Sequence, residues 1–271
     1  MPDGETGVSP PGSSQSSVKN PGPAVVLSVL AHPDDAEFLC AGALIRLARE
    51  HGWQVHVASM TPGDCGSADL PPDEIARIRR AEGARAAGRI GATYHCVEER
   101  DLRLFYEERS LERVTRLLRE VQPRLVLTHS PADYMLDHEV TCTLVRAAAF
   151  GAPAPNFFRD RGHPPPLDHV PHLYYCDPIE GKDALGREVA PQFCIDISAV
   201  IDDKAAMLAA HASQRDWLRK HHGMDQYVES MRAWGARRGR PAGAAYAEGF
   251  RQHLGHGYPQ DNLLGALLGA V

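Results

Sequence analysis

Short apolar runs alternate with amphipathic segments along most of the chain. The first run, AVVLSVL at residues 24–30, is rich in β-branched residues and has no polar face. Such a run is typical of a strand buried on both faces of a parallel sheet. From Glu37, apolar residues recur at helical spacing as far as Gly52. Further strands are expected at residues 54–59, 92–97 and 124–129, and helices over residues 73–91 and 111–121.

This alternation predicts an α/β fold, a single Rossmann-like domain with a mostly parallel sheet flanked by helices. Later in the chain, HLYYC and FCIDI have the composition of strands, and residues 197–222 have that of one long helix. Residues 151–171 are rich in proline and are expected to form an irregular surface excursion.

Composition and termini narrow the class of protein. Residues 1–23 are rich in Gly, Pro and Ser and are predicted to be a disordered tail. They lack the basic start and the apolar core of a signal peptide. A single domain is predicted at residues 24–271. Lys and Arg total 29 against 35 Asp and Glu, a net charge of −6, so nucleic acid is not expected as a partner. No apolar run is long enough to span a membrane. The six cysteines are singly spaced, which favours reduced thiols and a cytoplasmic location.

Two loops at the carboxyl ends of predicted strands carry possible metal ligands. His32 and Asp35 follow the first strand, and His138 follows the strand that ends near Thr128. Because ligand sites in such sheets collect beyond the carboxyl ends of the strands, these three side chains are expected to converge. Two nitrogens and one oxygen, with a fourth position open to water, make up a catalytic zinc site. Asp34 is then a candidate general base.

Purely structural interpretations of the same residues are open. Asp34 has the position of a helix N-cap, with Glu37 completing a capping box. Asp137 has the position of a cap on the helix that starts near Glu139. The functional alternative for Asp137 is to orient His138 or a neighbouring donor.

Several motifs together resemble one enzyme family. AHPDDAE after the first strand and the later D-Y-x-x-D-H are similar to motifs of the PIG-L (LmbE-like) family of zinc-dependent N-deacetylases. Further similar pieces occur in the same order: TPGD at residues 61–64, Arg79 with Glu82, Asp101 with Leu102, and AHASQ at residues 210–214.

The resemblance implies roles for six residues and one zinc ion per chain. The implied zinc ligands are His32, Asp35 and His138, the general base is Asp34, and Arg79 and Asp101 lie near the substrate. For Arg79 a plain helical salt bridge with Glu82 is the alternative. The sequence departs from the family at Met135, where many members have a histidine that stabilises the oxyanion. A thioether cannot donate a hydrogen bond, so His129, Tyr134 and His211 are candidates to replace it.

The expected function is zinc-dependent hydrolysis of an N-acetyl or other N-acyl group from an amino sugar or glycoconjugate. The alternatives are an amidase of a thiol or antibiotic glycoconjugate, and a non-catalytic metal- or carbohydrate-binding member of the same fold. A nucleotide-binding domain is disfavoured, because HPDD follows the first strand where a phosphate-binding glycine motif would stand. A small-molecule substrate is the expected partner, and a homo-oligomer is possible.

Overall fold

The computed structural model describes residues 23–214 and 227–271 and contains a seven-stranded sheet with helices on both faces. The strands are β1 (Val25–Leu30), β2 (Gln54–Ser59), β3 (Thr93–Cys96), β4 (Leu125–Thr128), β5 (His172–Cys176), β6 (Phe193–Asp196) and β7 (Ala247–Gln252). The helices are α1 (Asp35–Leu39), α2 (Ala41–His51), α3 (Pro72–Gly88), α4 (Glu108–Val121), α5 (Leu136–Gly151), α6 (Ile201–Leu208), α7 (Tyr227–Gly239) and α8 (Leu263–Leu268). Short 3₁₀ helices lie at Arg159–Arg161, Ile179–Gly181 and Ser198–Val200. The tail predicted at residues 1–23 lies outside the described residues except for Pro23.

The sheet confirms the predicted fold class. Its strand order is β3-β2-β1-β4-β5-β7-β6, and the five strands from β3 to β5 pair in parallel. Strand β7 is antiparallel to both of its neighbours, β5 and β6. The fold is therefore α/β with a mostly parallel sheet, and among the strands of residues 23–214 and 227–271 the antiparallel β7 is the one that the sequence patterns did not predict.

Strand β1 lies at the centre of the core. Val26 and Leu30 pack into the cluster that holds α2 and α6, whereas Leu27 and Val29 pack into the cluster that holds α4 and α5. All four side chains are buried. This two-sided burial explains why the strand has no polar face.

The first predicted helix is broken in two at Cys40, between α1 and α2. Gly42, at the start of α2, packs so closely on β7 that an added Cβ would lie 2.9 Å from the carboxylate of Glu248. That carboxylate accepts hydrogen bonds from the backbone N–H groups of Gly42 and Ala43, at 2.7 and 2.8 Å. Glu248 thus accepts the hydrogen bonds of the free N–H groups at the start of α2. The spacing of apolar residues in the sequence could not predict this contact, because Glu248 is distant in the chain.

The single long helix predicted over residues 197–222 is wrong. Helix α6 ends at Leu208, the chain turns through residues 209–211, and residues 212–214 are helical again. The Glu82 carboxylate accepts hydrogen bonds from the backbone N–H and the hydroxyl of Ser213, at 3.0 and 2.5 Å. This anchor starts a new helical turn, and residues 215–222 of the prediction lie outside the described part of the chain.

All six cysteines are free thiols, as predicted. Among the helices that the structure describes, none is long and apolar enough to cross a membrane.

Candidate active site

The loops after β1 and β4 meet at one edge of the sheet because these strands are parallel neighbours. The backbone N–H of Ala31 donates a hydrogen bond to Nε2 of His129 at 2.9 Å, which ties the two loops together. The predicted metal ligands and the predicted general base all lie in these two loops or in the first turns of the helices that follow them.

His32, Asp35 and His138 come together as the sequence predicted. Their potential ligand atoms all lie within 4.8 Å of one another. Oδ2 of Asp35 is 3.2 Å from Nδ1 of His32 and 3.7 Å from Nε2 of His138. All three residues are buried. Two imidazoles and one carboxylate at this spacing fit a zinc ion, so the donor set is consistent with the metal that the resemblance implies.

Asp133, and not Asp137, orients His138. Nδ1 of His138 lies 2.9 Å from Oδ1 of Asp133, so the imidazole donates this proton and turns Nε2 towards Asp35. A carboxylate behind a metal-binding histidine fixes the tautomer of the ring. Asp137 instead accepts a hydrogen bond from the backbone N–H of Leu102 at 2.8 Å. Asp137 therefore neither caps α5 nor orients His138, and its neighbouring groups are the backbone of Leu102 and, at 3.6 Å, Nε2 of His32.

His32 is surrounded by carboxylates. Oδ1 of Asp101 lies 3.1 Å from Nε2 of His32, and Oδ2 of Asp137 lies 3.6 Å from the same atom. Burial lowers the pKa of His32, but the charges of Asp35 and Asp101 outweigh it and hold the pKa well above its usual value. Burial likewise opposes ionisation of Asp35, and the imidazoles of His138 and His32 overcome it, so that its pKa is well below the usual range.

Asp101 lines the cavity described below, but both of its oxygens already have partners. Oδ1 contacts His32, and Oδ2 accepts a hydrogen bond from the backbone N–H of Cys65 at 3.2 Å. Its role towards a substrate stays a prediction, and the contact to His32 gives it a second role as an orienting group.

Asp34 faces Arg79 and Tyr227, and its side chain makes no helix-capping hydrogen bond. Nη2 of Arg79 donates to Oδ1 of Asp34 at 3.0 Å, and the Tyr227 hydroxyl donates to Oδ2. Asp34 has the N-cap position of α1 that one interpretation expects, but neither its carboxylate nor that of Glu37 makes the hydrogen bonds of a capping box.

Arg79 is buried and does not form the surface salt bridge that was its alternative. Its guanidinium donates to the carbonyl oxygen of Gly63 at 3.2 Å. A Cβ at Gly63 would lie 2.0 Å from Nη1 of Arg79, and Gly63 has φ +70°, so only glycine fits there. This contact explains the glycine of the TPGD segment.

Tyr227 is the site residue that sequence reasoning missed. It begins α7 and is buried against Phe38, with ring centroids 5.3 Å apart. Burial and then the charge of Asp34 raise the pKa of its hydroxyl. No local motif surrounds it, so only the tertiary structure shows that it faces the site.

Of the three proposed substitutes for the missing histidine, Tyr134 alone lines the cavity together with Met135. His129 stacks on His138 at 3.8 Å and is fully buried; burial and then His138 lower its pKa to about 4, which keeps it neutral. His211 is buried against Glu37, with Nε2 3.5 Å from the carboxylate. Neither imidazole is among the described residues that face the cavity.

A cavity of about 900 Å³ opens from this cluster. Its floor holds His32, Asp34, Asp35 and His138, and one wall is formed by Leu102, Tyr134 and Met135. The opposite wall is formed by the turn after β5 and by α7. The volume is within the range of small-molecule sites and is larger than an acetyl group needs.

Part of the chain matches a known family model. The family model of GlcNAc-PI de-N-acetylases, PIG-L, matches residues 27–149. That range contains most of β1, all of β2 to β4, most of α5 and every predicted site residue. It excludes α7 and hence Tyr227.

The chain is similar to one hydratase and to two deacetylases. The chain is 28% identical over 198 residues to 4-oxalmesaconate hydratase of Pseudomonas putida, covering 69% of this chain and 73% of the relative. It is 29% identical over 171 residues to 1D-myo-inositol 2-acetamido-2-deoxy-alpha-D-glucopyranoside deacetylase of Kineococcus radiotolerans, covering 48% of this chain and 47% of the relative. The crystal structure of N,N'-diacetylchitobiose deacetylase from Pyrococcus horikoshii superimposes with a TM-score of 0.71 at 25% identity, covering 89% of each chain.

Proposed function

From the PIG-L family domain at residues 27–149, we propose that the protein is a zinc-dependent N-deacetylase that removes an acyl group from an amino sugar or its conjugate. One observation carries the proposal. The ligand atoms of His32, Asp35 and His138 lie within 4.8 Å of one another on the floor of the cavity, and the carboxylate of Asp34 faces the same space.

The chain's own residues supply the remaining chemistry. A bound zinc ion would act as a Lewis acid towards the amide carbonyl and would make water a stronger acid there. Asp34 is placed to accept a proton from the attacking water and to return it to the leaving amine. Arg79 and Tyr227 each donate to one oxygen of Asp34, which holds the carboxylate in a single orientation. Tyr134 lines the cavity beside Met135 and is the proposed donor to the developing oxyanion.

A hydratase is the second candidate, favoured by the similarity to 4-oxalmesaconate hydratase over 69% of the chain. The same general base would then activate water for addition to a carbon–carbon double bond. The cavity offers no excess of positive charge to a substrate with several carboxylates, because Asp34, Asp101 and Glu180 line it together with Arg79 and Arg237. Arg79 is already neutralised by Asp34.

The deciding experiment offers both classes of substrate to the zinc-loaded protein. Released acetate is measured with N-acetylglucosamine, N,N'-diacetylchitobiose and a thiol-linked N-acetylglucosaminide, and hydration is followed by the ultraviolet absorbance of 4-oxalmesaconate. We expect acetate release that falls on the order of 10²-fold in Asp34→Asn. Hydration without acetate release would overturn the deacetylase proposal. Binding of metal and sugar with no turnover would instead show a non-catalytic member of the fold.

A further inference from the structure

Two arginines on the α5 side of the sheet lie outside the cavity that holds Asp34. Arg251 belongs to β7 and Arg146 belongs to α5, and neither residue lines the cavity. Within the described ranges 23–214 and 227–271, neither guanidinium forms an ion pair with a carboxylate. Both side chains therefore keep hydrogen-bond donors that a negatively charged ligand could use.

The guanidinium of Arg251 is only partly exposed and is incompletely bonded. Nη2 donates to Oγ of Ser130 at 2.5 Å, whereas Nε is buried and has no hydrogen-bond partner among the residues that the structure describes. Burial lowers the pKa of Arg251, because the charged group loses contact with water and has no carboxylate bonded to it. A buried donor without a partner costs free energy, and an oxyanion bound there would offset that cost.

Tyr175 lies close to both arginines. It is directly paired with Arg251 in the register of β5 and β7, and side chains at paired positions lie on the same face of the sheet. Burial raises the pKa of the Tyr175 hydroxyl to about 12, and the charges of Arg146 and Arg251 oppose this shift. Burial also raises the pKa of the Cys142 thiol to about 12, and the same two charges oppose it. Both guanidinium groups therefore lie near the same two side chains.

The surface between the two arginines is held by a series of contacts. The Tyr175 hydroxyl and Nδ1 of His253 share a hydrogen bond at 2.6 Å, and the His253 ring packs on Tyr258 with centroids 4.3 Å apart. The Tyr258 hydroxyl donates to the carbonyl oxygen of Arg146 at 2.7 Å. Burial and then the charge of Arg146 lower the pKa of His253, so the imidazole is neutral at pH 7. A surface held in this way needs little further ordering when a ligand binds.

The carboxylates of this region are bonded to other groups. Asp177, at the end of β5, forms an ion pair with Arg238. Asp133 accepts a hydrogen bond from His138, and Glu139 accepts one from the backbone N–H of Asp133 at 3.2 Å. Two guanidinium groups without a bonded carboxylate match a phosphate group, which carries close to two negative charges at pH 7. Guanidinium groups also bind phosphate oxygens through paired hydrogen bonds.

We propose that Arg146 and Arg251 form a binding site for a phosphate group on the α5 side of the sheet, separate from the cavity. Nε of Arg251 and the guanidinium of Arg146 donate to the phosphate oxygens, and Tyr175 forms the floor. Through Ser130 the site contacts the loop after β4, on which the metal-binding residues also depend. The proposal does not depend on the deacetylase reaction, since none of these residues lines the cavity.

Calorimetric titration with inorganic phosphate tests the site, using zinc-loaded protein from which excess zinc has been removed. We expect one phosphate to bind per chain, and Arg146→Gln and Arg251→Gln each to weaken binding about tenfold or more. Arg251→Lys keeps the charge but loses the fork, so it should weaken binding less than Arg251→Gln does. Arg237→Gln is the matched control, because Arg237 is an exposed arginine that lines the cavity instead.

A second titration with glycerol 3-phosphate distinguishes the two sources of a phosphate group. Tighter binding of this ester than of inorganic phosphate would identify an esterified phosphate as the ligand, and weaker binding would identify the free ion. In either case the affinity should fall in Arg146→Gln. Because Arg146 is exposed, this variant is expected to fold and decides the matter even if Arg251→Gln does not fold.

Three results would overturn the proposal. The first is no binding of phosphate to the parent protein at concentrations up to about 10 mM. The second is equal binding in the parent protein and in Arg146→Gln. The third is a loss of binding in Arg237→Gln with none in Arg146→Gln, which would place the phosphate in the cavity.

Discussion

The hydroxyl of Tyr227 donates a hydrogen bond to the carboxylate of Asp34, although the two residues are 193 positions apart. Asp34 belongs to the AHPDD segment after the first strand, and Tyr227 begins a helix that the family model does not reach. A carboxylate that acts as a base must be aimed as well as ionised. The late helix therefore contributes a hydrogen bond to the residue that we propose as the general base.

We expect Tyr227→Phe to lower kcat about tenfold, because one of the two hydrogen bonds that orient Asp34 is lost. KM and metal content should stay unchanged, since the ring still packs on Phe38 and no zinc ligand is altered. Steady-state kinetics with metal analysis makes this measurement. Tyr94→Phe is the control, because its hydroxyl contacts Ser59 and does not line the cavity. Equal kcat values in Tyr227→Phe and the parent protein would remove Tyr227 from the site.

Asp34→Asn and Asp35→Asn should separate chemistry from metal binding. Asp34→Asn keeps the shape of the side chain but accepts no proton from water, so we expect a rate loss on the order of 10²-fold with full metal content. Asp35→Asn should lose metal as well, because Asp35 is one of the three proposed ligands. Its Oδ2 lies 3.2 Å from Nδ1 of His32 and 3.7 Å from Nε2 of His138. The two variants are compared by turnover and by zinc per chain. Asp34→Asn protein with the parent rate would show that another group is the base.

Metal removal should abolish hydrolysis reversibly. We expect about one zinc ion per chain in the purified protein, because three protein ligands and one water complete a tetrahedral site. Chelation followed by addition of zinc should restore activity in the parent protein and not in His32→Ala or His138→Ala. The readout is metal analysis together with acetate release. His138→Ala protein that retains both its metal and its activity would contradict the site.

The sequence predicted the fold class, the parallel part of the sheet and the convergence of the two loops, because these follow from local periodicity and from one rule about strand ends. It could not predict the break at Cys40, since that break depends on Glu248, which lies about 200 positions away in the chain. For a similar reason it could not decide whether Asp137 orients His138 or a neighbouring donor, and it did not single out Asp133. Which carboxylate lies behind an imidazole depends on how the loop before α5 turns, and residue spacing alone does not determine that turn.

Asp133→Asn should therefore weaken zinc binding by about 10–100-fold, as is usual when the carboxylate behind a metal-binding histidine is lost. The amide keeps the shape of Asp133 but accepts the Nδ1 proton of His138 more weakly. Competition with a metal indicator measures the affinity. Asp137→Asn is the matched comparison, because Asp137 lies near His32 and makes no contact with His138. We expect this variant to lower the zinc affinity less than Asp133→Asn does. Metal affinity that falls in Asp137→Asn but not in Asp133→Asn would reverse the assignment.

A buried ion pair between Lys204 and Glu248 contacts helix α1, which begins at Asp35. Nζ of Lys204 lies 2.6 Å from Oε1 of Glu248 and donates to the carbonyl oxygen of Phe38 at 2.9 Å. Both charged side chains are nearly inaccessible to solvent. The pair joins α6 and β7 to the break between α1 and α2, five residues after Asp35.

We expect Lys204→Met to lower the free energy of unfolding by about 3–5 kcal/mol, because it leaves the Glu248 carboxylate buried without its counter-ion. Denaturant titration measures the loss. Arg49→Met is the control, since its ion pair with Asp203 is exposed and should contribute less than about 1 kcal/mol. The double variant Lys204→Met/Glu248→Gln should recover part of the loss, because the glutamine amide removes the unpaired charge and still accepts a hydrogen bond from Gly42 or Ala43. A double variant that is less stable than Lys204→Met would show that the backbone hydrogen bonds of Glu248, and not its pairing with Lys204, are the main contribution.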